Sequence, residues 1–255
     1  MEISKHKALL ILFLSLTAGK VLAIEAKTGL VTGPQEILNR ACTLEFSPEP
    51  GRFDILSAFI VGPNKVISVG HTPFFNRDLK IKCGVTGKKA YRNTERERHP
   101  NYDYRDNPDS TSKWAHYDFS VIKFKNENTA NLAKIPIESN SSLVAEMLKK
   151  GRCIYGGAGD DSGNDIGGRS VKFVLAPTNV PLVNDYHVGV EYSGKPIVVA
   201  GDSGGPVICQ RDSGEYVLAG LLEYGGTISD KVKGSRNFVG IMILRDEIVQ
   251  YMDQF

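Results

Sequence analysis

Residues 201–206 read Gly-Asp-Ser-Gly-Gly-Pro and lie between two apolar runs, residues 196–200 and 207–209. Three glycines and a proline in six positions exclude a regular helix and a central strand. Glycine loses the most backbone freedom in either, and proline has no N–H to donate. Such a stretch readily forms a tight loop whose backbone N–H groups converge. A serine at its centre then has a chemical use. Its hydroxyl is a weak nucleophile until a base takes the proton, and acyl transfer also needs donors aimed at the developing oxyanion. A glycine-rich turn around Ser203 supplies exposure and donors together.

The 255 residues suffice for two small barrels or one larger core. Apolar residues at 41% and charged residues at 24% fit a soluble globular protein, and 26 glycines suit many turns. The first stretch stands apart. Lys5 and Lys7 precede an apolar run at residues 8–16, followed by Thr17, Ala18 and Gly19. This is a secretory signal pattern, with cleavage expected after Ala23 and a second option after Ala26. The run is too short to span a membrane, and no later segment is long enough. The leader is therefore residues 1–23, and residues 24–29 read as a short spacer or propeptide. Losing the leader takes the formal charge from +2 to near neutrality, which excludes a nucleic-acid binder on charge. The basic cluster Lys88, Lys89, Arg92, Arg96 and Arg98 is interrupted by Glu95 and Glu97, so it reads as a solvated loop. Export places the chain outside the cell or in a periplasm, where its four cysteines are expected to pair. Sequence alone leaves three connectivities, and the spacings show no zinc pattern.

The remaining chain has a hairpin rhythm. Apolar runs at residues 42–46, 55–61 and 65–69 are separated by turn residues at 48–51 and 62–64. Further strands are expected at 171–175, 187–191 and 237–243, and a short helical turn at 143–150. Ile248, Met252 and Phe255 recur at helical spacing near the end. His71 closes the run at 65–69. A histidine titrating near neutral pH can take a serine proton and return it to a leaving amine. Asp118 opens an alternating apolar segment, and an acid entering such a strand needs a partner.

These segments resemble the nucleophile, base and acid segments of trypsin/chymotrypsin-like serine endopeptidases. They are Gly201 to Pro206, Val66-Ile67-Ser68-Val69-Gly70-His71, and His116-Tyr117-Asp118-Phe119. The resemblance implies an all-β fold: two Greek-key antiparallel β-barrels, residues 30–138 and 139–255, with a C-terminal helix on the second. It implies that Ser203 is the nucleophile, His71 the base, and Asp118 the acceptor of the His71 Nδ1–H. The N–H groups of Gly201 and Ser203 would form the oxyanion hole. Asp202 would orient the loop, in the family by pairing with a new N-terminal ammonium. Leu30-Val31-Thr32-Gly33 is weakly similar to such a terminus, which would require an activating protease, although Gly29 and Lys27 do not form a trypsin-like cut. The order His, Asp, Ser also differs from the α/β-hydrolases, where the nucleophile comes first. The resemblance implies a Cys153–Cys209 bridge, which leaves Cys42–Cys83 in the first half. Thr72 and Val199 stand where many relatives carry cysteine.

By the same resemblance Ile197 lies at the base of the specificity pocket, with Val198 beside it. A lysine or arginine of the substrate would meet no carboxylate there, so an apolar or small preference is expected. Tyr224 and Gly225 would border the pocket mouth. Glu223 falls where the family places a serine beside the acid. Two nearby carboxylates raise one pKa, so Glu223 either points elsewhere or is a pocket acid. The expected reaction is peptide-bond hydrolysis through an acyl-enzyme, with no cofactor and no metal. Expected partners are protein or peptide substrates, with no nucleic acid and no stable membrane insertion, and the chain is expected to be a monomer. Two alternatives stay open: a protease-fold binding module without turnover, and an exported esterase using the same triad. Asn140-Ser141-Ser142 is a glycosylation acceptor pattern.

Overall fold

The computed structural model describes residues 34–49, 52–71, 79–84, 89–91, 95–102, 116–124, 133–159, 171–193, 197–230 and 234–255. The leader, the spacer, the segment beginning at Leu30, Thr72 and the loop at 160–168 lie outside the described residues.

Among the described residues, two seven-stranded antiparallel sheets are each curled into a half-barrel. The first contains β1 (Ala41–Glu49), β2 (Arg52–Gly62), β3 (Lys65–Ser68), β4 (Leu79–Cys83), β5 (Lys89–Tyr91), β6 (Glu95–Arg98) and β7 (Ser120–Lys123). Its order is β5-β4-β1-β2-β3-β7-β6. Strand β4 returns to lie beside β1 after the β1-β2-β3 meander, which is a Greek key. The second sheet contains β8 (Cys153–Gly157), β9 (Lys172–Leu175), β10 (Asn179–Val183), β11 (His187–Tyr192), β12 (Pro206–Gln210), β13 (Tyr216–Asp230) and β14 (Gly234–Met242). It is ordered β10-β11-β14-β13-β12-β8-β9.

The strands follow period-two burial. In β4, Leu79, Ile81 and Cys83 are buried while Lys80 and Lys82 face outward. The β2–β3 turn uses Asn64 at φ 53°, a left-handed position that asparagine tolerates. Pro48, expected in a turn, instead lies within β1, where the register shifts between Phe46 and Glu49. Such a bulge accepts a proline because the ladder is already interrupted there.

Three helices accompany the sheets among the described residues: α1 (Pro34–Leu38), α2 (Ser141–Lys149) and α3 (Asp246–Gln254). Asn140 caps α2, its Oδ1 accepting the N–H groups of Ser142 at 2.9 Å and Leu143 at 3.2 Å. Gly151, at φ 67°, follows the C-terminus. In α3, Ile248 and Met252 lie one turn apart and are buried, as the helical spacing predicts.

Three apolar cores result among the described residues. One, with Leu44, Ile60, Val66 and Ile122, lies within the first sheet. Another, with Tyr155, Val188, Val207 and Val239, lies within the second and takes Val144 and Leu148 from α2. The third joins the halves: Ile55, Phe59, Ile67 and Phe119 meet Ile154, Ile208, Leu221, Met242 and Ile248 of α3. Each such side chain contributes roughly 1.5–3 kcal/mol when fully buried. This shared core holds one half against the other. The segment around Ile135 and Pro136 is tied to both. Ile135 N–H donates to Val61 O at 3.2 Å, and Leu218 N–H donates to Pro136 O at 2.9 Å.

Both disulfides link directly paired cross-strand positions. Cys42–Cys83 joins β1 to β4, and Cys153–Cys209 joins β8 to β12. The second pairs as the resemblance implied, and the first is the pairing that this left. Closing loops of 41 and 56 residues removes unfolded-state entropy worth about 4 kcal/mol each.

Candidate active site

The loop leading into β12 is pressed between the two sheets. Gly201 and Gly204 take φ of 95° and 82°, where side chains are strained. A Cβ on Gly204 would overlap the Ser68 hydroxyl and the Ser57 carbonyl, and one on Gly205 would overlap the Gly156 carbonyl. The glycines predicted from the sequence therefore serve both conformation and close approach.

Ser57 of β2 fastens this loop to the first sheet. Its N–H donates to Ser203 O at 3.0 Å, and its hydroxyl donates to Gly201 O at 2.8 Å. The same hydroxyl accepts the Ala158 N–H at 2.9 Å. Ser68 in turn donates its hydroxyl to Ser57 O at 2.7 Å. From the second sheet, Gly204 N–H donates to Leu222 O at 2.7 Å. Asp202 is buried, and its carboxylate accepts the Gly159 N–H at 2.7 Å and the Val199 N–H at 2.8 Å. Two backbone amides thus hold the side chain that was expected to orient the loop through an ammonium. Among the described residues, neither the Gly201 N–H nor the Ser203 N–H donates to a backbone carbonyl.

His71 leaves the end of β3 directly onto Asp118. Its Nδ1 lies 2.5 Å from Asp118 Oδ2, and its backbone N–H donates to Asp118 Oδ1 at 2.6 Å. One buried carboxylate fixes both the main chain and the ring, and the ring remains one-third exposed. Gly70 permits this approach. A Cβ there would lie 3.0 Å from Phe119 N and 3.3 Å from Asp118 Oδ1. Ser120 adds a bond from its hydroxyl to Val69 O at 2.9 Å. Burial of the ring pulls the His71 pKa down. The hydrogen bond and charge of Asp118, with a contribution from Glu223, outweigh burial and an opposing Arg98, so the pKa lies above the ordinary histidine value.

The Ser203 hydroxyl donates to Glu223 O at 3.3 Å and makes no hydrogen bond to the His71 ring. His71 and Asp118 are therefore joined, and Ser203 lies next to Glu223. Glu223 is the bulged residue of β13, where the register against β14 shifts between Leu222 and Tyr224. Its side chain is 4% exposed, and Oε2 lies 2.6 Å from Nε2 of His187, itself 7% exposed. The ring N–H is poorly aligned on the oxygen, which makes this an electrostatic contact more than a directional bond. Burial raises the Glu223 pKa; His187 and His71 oppose the shift and Asp118 adds to it. The carboxylate of Glu223 is thus directed at His187.

Ile197, Val198, Val199 and Leu222 border a cavity of about 210 Å³, together with Lys172 and Asp202. Ile197 N–H donates to the Tyr192 hydroxyl at 2.8 Å. The Gly225 position faces Val198, 3.5 Å from where a Cβ would stand. Tyr224 packs over Gly240 and stacks on Phe238 at 5.7 Å between centroids. His99 stacks on Tyr117 at 4.6 Å, a packing role.

The amino-acid sequence matches the Trypsin family over residues 44–243. This chain belongs to the trypsin family. Its type of chemistry is serine-protease hydrolysis. In fold it is similar to a Glu endopeptidase solved in complex with MPD, with a TM-score of 0.58 at 15% identity over 88% of this chain and 94% of that one. It is also similar to HL collagenase, with a TM-score of 0.55 at 15% identity over 86% and 93% of the respective chains. Curated proteins gave no match. His71, Asp118 and Ser203 all fall within the span matched to the trypsin family.

Ser57, Ser68, Ser120 and His187 were not foreseen from the sequence. The three serines carried a signal: small polar residues inside apolar strands must find partners once buried. His187 carried only its place at the start of an expected strand.

Proposed function

We propose that this trypsin-family chain is an exported endopeptidase that cleaves peptide bonds with Ser203, His71 and Asp118. The observation that carries the proposal is the double hold of Asp118 on His71. It fixes the Nδ1–H tautomer and leaves Nε2 as the base. Ser203 Oγ releases the Glu223 carbonyl, turns to Nε2, and attacks the substrate carbonyl carbon as its proton passes to His71. Such bonds commonly tighten only when substrate is bound. The tetrahedral oxyanion lies on the N–H groups of Gly201 and Ser203. His71 then protonates the leaving amine, and water, deprotonated by His71, releases the acid from Ser203.

Specificity follows from the cavity wall. Ile197, Val198 and Leu222 offer apolar surface to a cavity that Lys172 and Asp202 also line. The Asp202 carboxylate is engaged by the Gly159 and Val199 amides, and on this reading an apolar or small substrate residue is favoured over lysine or arginine. The sequence pattern of the leader and the two disulfides support export, and the chain acts as a monomer on protein or peptide substrates. Among the described residues no helix is long and apolar enough to cross a membrane.

The test is labelling of the mature protein with a fluorophosphonate, with Ser203→Ala as control, followed by a peptide library. Ser203-dependent labelling and cleavage after apolar residues are expected. Absence of labelling after proteolytic activation would favour the binding-module alternative, and turnover of esters alone would favour the esterase.

A further inference from the structure

The cavity beside the nucleophile loop is lined by a buried polar residue without a partner. Strands β8 and β9 form one side of it. Tyr155 pairs with Val174, and Gly157 pairs with Lys172. Residues two apart share a face of a strand, and all four of these line the cavity. Gly157 brings no side chain, and a Cβ there would overlap the Asp202 carboxylate. Tyr155 is thus the bulky residue that β8 contributes to the lining. It is 1% exposed, and among the described residues its hydroxyl is buried with no hydrogen-bond partner. Its ring belongs to the core that includes Val188, Val207 and Val239, whose side chains carry no polar atom. A hydroxyl left unpaired in such surroundings is costly, and the cavity is the space from which a partner can come. Burial also raises the Tyr155 pKa above the ordinary tyrosine range, with Tyr192 adding to the shift, so the group stays a neutral phenol.

We infer that Tyr155 determines specificity: its hydroxyl hydrogen-bonds the tip of the substrate side chain held in this cavity, and the side chain it selects is tyrosine. This rests on the cavity being the substrate pocket of the proposed peptidase. Size comes first. The cavity measures about 210 Å³, and an aliphatic cavity of roughly 150 Å³ already holds benzene, so a phenol ring fits. Val174, Ile197, Val198 and Leu222 give that ring apolar walls.

The tip must be neutral. A cationic tip finds the Asp202 carboxylate already engaged by the Gly159 and Val199 amides. An anionic tip is repelled by the same carboxylate. Lys172 is exposed, so its ammonium is solvated and offers an anion little. A phenol O–H meets neither obstacle and supplies the partner that Tyr155 lacks. Phenylalanine fills the same space but leaves the Tyr155 hydroxyl unpaired, and that difference sets the preference.

Tyr155→Phe removes this one oxygen. Matched peptides that differ only in tyrosine or phenylalanine before the scissile bond report the effect. In the wild type, kcat/KM should favour the tyrosine peptide roughly tenfold; in Tyr155→Phe the ratio should fall to about one, through loss on the tyrosine peptide. The Tm of Tyr155→Phe should stay within about 2 °C of wild type or rise, because the oxygen removed had no partner in the free protein. A merely structural hydroxyl would do the reverse, lowering Tm and slowing both peptides alike. A tyrosine-to-phenylalanine ratio equal in the two proteins would overturn the inference, and so would a fall in Tm beyond about 2 °C. Fluorophosphonate labelling of both proteins separates the two failures. Labelling with an unchanged ratio removes the role of Tyr155 alone, whereas a wild type that is never labelled removes the peptidase proposal and this inference with it.

Discussion

Ser57→Ala tests how the nucleophile loop is held. The Ser57 hydroxyl is the only atom changed, and it bridges Gly201 O at 2.8 Å and Ala158 N at 2.9 Å. The backbone bond from Ser57 N–H to Ser203 O and the bond from Ser68 to Ser57 O both survive the substitution. The effect therefore isolates the hydroxyl. Ser57 and Ala158 are almost fully buried, so the Ala158 N–H loses its partner without gaining water. An unsatisfied buried group costs about 1–3 kcal/mol, and the half-exposed Gly201 carbonyl adds less, so a loss of roughly 2–4 kcal/mol is expected. For a domain of this size that is a fall in Tm of about 5–15 °C. Calorimetry on the mature protein measures it. Turnover should fall more than binding weakens, because Gly201 is also the residue whose N–H is proposed as an oxyanion donor, and kcat and KM separate the two. A Tm within about 2 °C of wild type would refute the reasoning, since it would mean that the loop needs no fastening from the first sheet.

Asp118→Asn should leave the fold intact and lower kcat by roughly 10³–10⁴, because the amide favours the wrong tautomer of His71; steady-state kinetics and circular dichroism check both halves. The raised pKa of His71 places the acid limb of kcat/KM above the ordinary histidine range, near pH 6.5. The same link gives a stability contribution that is full below the unfolded pKa and lost as pH rises through the folded one, so Tm should fall across that window and should not do so in His71→Gln. Gly204→Ala should prevent accumulation of folded protein, since the Cβ has no room beside Ser68 and Ser57; soluble yield and proteolytic resistance report it.

Much of this architecture could be read from residue order. The hairpin rhythm around residues 55–69 becomes β2 and β3, and the spacing of Ile248 and Met252 becomes the buried face of α3. Both are local patterns that need no knowledge of distant partners. The direction of Glu223 was not legible, because it depends on a register shift between β13 and β14 that no spacing encodes. The partners of Asp202 were not legible either. Two of them are amides of Gly159 and Val199, and backbone groups leave no signature in residue type. Ser57 meets a loop 144 residues further on, a contact fixed only when the halves pack.

Each half carries its own covalent staple. Cys42–Cys83 stays within the first sheet and Cys153–Cys209 within the second, which accounts for all four cysteines. Nothing covalent except the main chain bridges the apolar contact between them. Mild denaturant should therefore let the halves drift apart while each keeps its shape, so that hydrolysis is lost ahead of secondary structure and the enzyme switches off before it comes undone.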